Sequence, residues 1–192
     1  MPSQYCLCLN CSHSDSLPQS ISNDGTKFYL TTDKDAPMYR IVQFELADPQ
    51  KGMQDFIPED KDAHLETISA VDNDKFVIVY KRNVCSFLHS HKFGYFPGLL
   101  LQVIDELYIY SSNGKRVERL AADFVGKIDV TGVKREHSSF FATLSGFTTP
   151  GMIQMYDFKA SLEPKWTVYK TTKVNGLITE DFIVEQVRVT LL

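Results

Sequence analysis

A chain of 192 residues, 43% hydrophobic and 23% charged, can build one globular domain with an ample core, or two small ones. A net charge of −4 and a pI near 5.7 argue against nucleic acid or an anionic membrane surface as partner. No apolar run approaches the roughly 20 residues of a spanning helix. No basic segment followed by an apolar one opens the sequence, so a cytoplasmic protein away from membranes is expected.

Residues 1–20 carry no strand or helix pattern and read as an unstructured leader. Within them Cys6, Cys8 and Cys11, followed by His13, group four soft or borderline ligands, as zinc requires. All four lie in one short segment with no second knuckle to close a tetrahedron around a folded core, so no metal is expected.

β signals dominate from Ile21 onward. Lys27 to Thr32 follows the turn Asn23-Asp24-Gly25, and Tyr39 to Leu46 follows a polar connection ending in Pro37. Strands are predicted next at Met53 to Ile57 and Thr67 to Val71. Lys75 to Lys81 is an almost continuous β-branched and aromatic run, the signature of a strand buried on both faces. Leu107 to Tyr110 and Val117 to Leu120 flank Asn113-Gly114, a strong hairpin signal. A second hairpin joins Phe140–Ser145 to Met152–Asp157 through Pro150-Gly151. Trp166 to Tyr169 and Phe182 to Val187 close the series. No window shows a capped apolar stripe of helical period, so the chain is all-β; that pattern alone permits a sandwich, a barrel or propeller blades.

The wording of several segments narrows the choice. Phe140-Phe141-Ala142-Thr143-Leu144-Ser145-Gly146-Phe147-Thr148-Thr149-Pro150-Gly151-Met152-Ile153-Gln154-Met155-Tyr156-Asp157 resembles the F-x-x-x-S-x-F-x-x-P-G-x-I-x-x-Y-D segment of the prolyl oligopeptidases, a family of serine peptidases. Asn23-Asp24-Gly25-Thr26-Lys27-Phe28 and Pro37-Met38-Tyr39-Arg40-Ile41 are similar to that family's N-x-G-T-x-F and P-x-Y-R-[LIV] patterns, in the same order. The resemblance implies a partial β-propeller over residues 21–187, about three four-stranded blades of a seven-bladed ring, the first from Ile21 to Glu59. It further implies a lid that restricts access to a serine endopeptidase cutting short peptides after proline. The implied partners are an α/β-hydrolase domain of the same chain and short proline-containing peptides, with no metal or organic cofactor.

Three segments depart from the family pattern: residues 1–20, residues 85–102 and residues 188–192. The middle one interrupts what should be a tight strand-to-strand link between Val84 and Val103, and it is too apolar to sit comfortably in water as a loop.

No catalytic residue is assigned. The family's nucleophile sits on a G-x-S-x-G elbow, which is absent; Ser145 has a glycine only directly after it and lies in a predicted hairpin. The resemblance places the Ser, Asp and His of the triad C-terminal to the propeller. Cys85, His89 and His91 lack a further ligand, and sequence alone does not join Asp123, Asp129 and His137 into an acid–base set. Trp166 reads as packing, and Glu59-Asp60-Lys61-Asp62 as a solvated connection. Three blades cannot close a ring, so self-association through uncovered blade faces is expected. The alternative reading is a non-catalytic β-rich module that pairs its open edges with a partner.

Overall fold

The structure, a computed structural model, describes the backbone of residues 18–90, 94–95, 100–146, 148–161, 163–172 and 182–186. Cys6, Cys8, Cys11, His13, His91 and the 188–192 segment lie outside the described residues.

Strands β1 (Gln19–Asp24), β2 (Lys27–Thr32), β3 (Arg40–Glu45) and β4 (Met53–Ile57) form a first antiparallel sheet in sequence order. The second sheet is built from β5 (His64–Val71), β6 (Lys75–Ser90), β8 (Leu100–Tyr110) and β9 (Arg116–Leu120). Two further strands, β7 (Gly94–Tyr95) and β14 (Phe182–Gln186), pair with the C-terminal part of β6. The third sheet is β10 (Lys127–Thr131), β11 (Ser139–Ser145), β12 (Met152–Asp157) and β13 (Trp166–Thr171). Each sheet is built on a four-stranded antiparallel arrangement, to which the second adds β7 and β14, and no α-helix occurs among the described residues. The three expected propeller blades are present, and the first ends at Ile57, close to the expected Glu59.

Alternation along β6 and β8 explains the stacking. Phe76, Ile78, Tyr80, Tyr108 and Tyr110 point to one side, where they meet Tyr29, Ile41 and Ile57 of the first sheet. Val77, Val79, Leu107 and Ile109 point to the other, against Ile128, Phe140, Ala142, Leu144 and Tyr156 of the third. The continuous apolar run from Lys75 to Lys81 exists because the second sheet is covered on both faces.

Two sequence expectations need correction. β10 carried no strand prediction: it alternates charged and apolar residues over only five positions, and just Ile128 is buried. β5 begins at His64, three residues before the expected Thr67, because its first residues pair with Lys81 and Tyr80. The link at 85–102 is no loop where the backbone is described. β6 and β8 pair from Phe76↔Tyr110 to Ser86↔Leu100 without a register shift, so the hairpin runs on into the segment. Over the described residues, strand pairing engages backbone amides and carbonyls that an apolar loop would leave unpaired.

Candidate functional site

The two interfaces between sheets are apolar, and polar chemistry gathers at their ends. At one end, the Pro37-Met38-Tyr39-Arg40 segment docks on the second sheet. The Met38 amide donates to Glu59 at 2.7 Å, and the Met38 carbonyl accepts from the Leu65 amide at 3.0 Å. Arg40 crosses to Asp55 of β4 at 3.2 Å. Beside this segment opens a cleft of about 440 Å³ between the first two sheets, lined by Gln19, Ile21, Thr31, Tyr39, His64 and Glu66. Glu66 is held by Lys81 at 2.5 Å, while His64 lies 3.8 Å from Glu66 with its ring edge-on to Tyr39. These contacts tie β5 to β6 and to the β2–β3 connection.

A second cluster centres on Glu106 of β8. Its carboxylate accepts from Arg82 and from the Tyr108 hydroxyl at 3.2–3.3 Å, and it pairs with Arg119 at 3.3 Å. Arg82 also reaches Asp60 at 3.1 Å. The acidic connection Glu59-Asp60-Lys61-Asp62 is therefore not simply solvated, because Glu59 and Asp60 each hold a partner in a neighbouring element. Arg116 lies over the Tyr108 ring at 4.0 Å and donates to the Tyr110 hydroxyl.

Between the second and third sheets, Asp105 makes the decisive polar contact. It is 4% exposed; its carboxylate accepts from the Ile128 amide at 2.8 Å and its own amide donates to the Gly126 carbonyl at 3.3 Å. Burial raises its pKa above the ordinary 3.8, and the Ile128 amide opposes that in part. A raised folded-state pKa means that the native chain binds more protons than the unfolded one between the ordinary and the raised value. Stability therefore falls as pH climbs through that window, and the penalty is complete above it. Asp105→Asn keeps an acceptor for Ile128 and removes the charge, so it is expected to flatten this slope without loss of stability at neutral pH. Asp105→Ala strands the amide and should cost about 1–3 kcal/mol. Urea midpoints taken between about pH 4 and 7 separate the two outcomes.

The residues singled out from sequence do not converge. Ser145 ends β11 and pairs with Lys127, as a strand residue. Asp129 is held by Lys127 at 2.8 Å, whereas His137 sits in the connection at the far end of the same hairpin, 3.3 Å from the Gly132 carbonyl. His89 lies in β6 opposite Tyr95 and Ile183. Trp166 packs beside Phe140 and Tyr156 at ring distances of 6.1 and 6.3 Å. Among the described residues no group of three or more His, Cys, Asp or Glu side chains is placed to hold a metal. Sequence reading missed Asp105 and Glu106 as structural anchors, although two adjacent carboxylates inside the apolar run Val103–Tyr110 were the available signal.

The outward faces of the stack complete the picture. On the first sheet Phe28, Leu30 and Phe44, with Val42 buried among its neighbours, alternate with the residues that meet the second sheet, so they face away from it. On the third, Phe141, Ile153 and Met155 do the same, with Tyr169 edge-on to Phe141 at 5.3 Å. Both ends of the stack thus present apolar sheet faces of the kind that its interior covers.

The model of the prolyl oligopeptidase N-terminal β-propeller domain matches residues 14–168. The chain is similar to prolyl oligopeptidase A of Amanita bisporigera, with 41% identity over 92% of this chain and 21% of the relative. It is also similar to prolyl oligopeptidase A of Galerina marginata, with 42% identity over 87% of this chain and 20% of the relative. The solved apo structure of prolyl oligopeptidase B from Galerina marginata superimposes with a TM-score of 0.72 at 36% identity, covering 85% of this chain and 20% of that one. The chain spans about a fifth of the length of the curated relatives that it matches.

Proposed function

The chain belongs to the prolyl oligopeptidase family as part of its N-terminal β-propeller domain, and from that premise we propose that it forms wall and lid for a serine-peptidase site. The catalytic groups lie in an α/β-hydrolase domain beyond the residues described, and the substrates are short peptides cut on the carboxyl side of proline. The observation that carries this reading is the stack itself. Its central sheet is covered on both faces by similar interfaces, and its end faces have the apolar character of blades meant to be covered in turn. A stack open at both ends is part of a wall, and a wall excludes large substrates only when the ring continues.

The test is a chimera in which residues 21–172 replace the matched fifth of the Galerina marginata prolyl oligopeptidase A. The chimera should react with a serine-directed phosphonate, cleave a short proline-containing peptide and reject the same sequence embedded in a folded protein. The 192 residues alone should take up no phosphonate. Labelling of the isolated chain, or a soluble chimera that cleaves folded protein as fast as peptide, would overturn the proposal.

On their own, the 192 residues are further proposed to self-associate through the two outward faces. Met53, opposite Phe44, and Tyr169, against Phe141, are each more than half exposed and extend these outward faces.

A further inference from the structure

Three turns meet at the end of the stack where β1, β5 and β10 finish: Asp24–Lys27, Asp72–Asp74 and the connection 132–138. Arg135, in the third, touches both of the others. Its backbone carbonyl accepts from the Asn73 amide at 2.7 Å, and two residues on the His137 carbonyl accepts from the Asp72 amide at 2.9 Å. Its guanidinium continues past the second sheet to the first. There it donates to the Ser22 hydroxyl at 3.1 Å and to the Asn23 carbonyl, and it pairs with Asp24 at 3.2 Å. One residue of the third sheet is thereby bonded to the first and to the second, across a sequence separation of 112–113 residues to Asn23 and Ser22.

The chemistry suits arginine in particular. Nη1 donates to the Ser22 hydroxyl and the Asn23 carbonyl while Nη2 faces the Asp24 carboxylate, so the contacts spread over two nitrogens of the planar fork, a span that a single lysine ammonium does not cover. The Arg135 side chain is 29% exposed and Asp24 is largely in water, so the ion pair adds little by itself and the half-buried bond to the Ser22 hydroxyl is the better shielded contact. The interfaces on either side of the second sheet are apolar and largely non-directional; they favour burial, but tolerate changes in tilt. Directional bonds at one rim remove that freedom.

We propose that Arg135 is a positioning residue that latches the first sheet to the third over the Asp72–Asp74 turn and so fixes the tilt of all three blades at this rim. Without it, both interfaces persist and the rim opens.

Hydrogen exchange on the 192-residue chain tests this. In Arg135→Ala the amides of Asn73 and Lys27 should exchange about tenfold faster, while Leu107 and Ile109 in the central sheet keep their protection. Arg135→Lys, which retains charge without the fork, should recover less than half of the lost protection. Should Arg135→Ala fail to fold, the Ser22→Ala/Asp24→Ala pair removes two acceptors and leaves Arg135 in place; the same pattern is expected. Unchanged rim exchange, equal acceleration at Leu107, or full recovery by lysine each overturns the latch.

Discussion

Replacing Phe140 with alanine is expected to release the third sheet from the second and to leave the chain close to unfolding. The side chain is fully buried and stacks on Tyr156 at 5.7 Å with an interplanar angle of 18°. Phe158 and Trp166 stand at 6.2 and 6.1 Å around it. Truncating such a side chain costs about 3–5 kcal/mol, because the lost transfer energy is joined by a cavity that a ring cluster cannot collapse to fill. That approaches the lower end of the roughly 5–15 kcal/mol that holds most domains together. Urea titration should show the loss directly. Trp166, the single tryptophan, reports it by fluorescence: a red-shifted native baseline would mark water reaching the interface. Phe140→Leu fills most of the volume and should cost less than about 1.5 kcal/mol. A change below about 1 kcal/mol in the alanine variant would mean that the ring cluster does not hold the sheets together.

The second large effect concerns the ends of the stack. Phe44 and Ile153 face outward on the first and third sheets, away from both interior clusters. Lysine at both positions should leave folding intact and suppress association. Burying each such side chain contributes about 1.5–3 kcal/mol to a contact, so each charge should weaken association by more than about tenfold. Because the two faces differ, the contact they make is heterologous and open-ended, and it produces a ladder of sizes rather than a dimer. Sedimentation velocity should therefore show concentration-dependent polydispersity for the parent chain and one monomeric species for Phe44→Lys/Ile153→Lys. A parent chain that stays monomeric across concentrations would defeat this expectation.

Much of the architecture was legible in the residues. Period-2 alternation and turn chemistry located the hairpins at Asn113-Gly114 and Pro150-Gly151, and the unbroken apolar run at Lys75 announced a strand covered on both faces. β10 was not legible: its single buried residue, Ile128, is anchored by Asp105, 23 positions away, and local pattern contains no such information. The polar contacts followed the same rule. Glu106 gathers Arg82 and Arg119, and Arg135 gathers Ser22 and Asp24, only once the sheets are stacked. Gly114 shows a turn fixed both locally and from outside. Its φ of 74° satisfies the turn, but its lack of a side chain also serves the neighbouring sheet, since a Cβ would lie 2.5 Å from the Phe56 carbonyl oxygen.

The unbroken register of β6 and β8 has an evolutionary meaning. Asn83 stands opposite Val103 and Val84 opposite Gln102, so the ends of the 85–102 segment are already neighbours in the ladder. Residues can be added to or removed from the tip in matched pairs while every pairing nearer the core keeps its partner. Beyond Ser90, the last residue of β6 that β14 pairs with, the hairpin is thus a port at which length can drift without cost to the pairings nearer the core. Lineages could elaborate the tip into a new appendage, and protein engineers could use the same place to graft a foreign loop, whereas trimming past Ser90 would leave β14 without its partner.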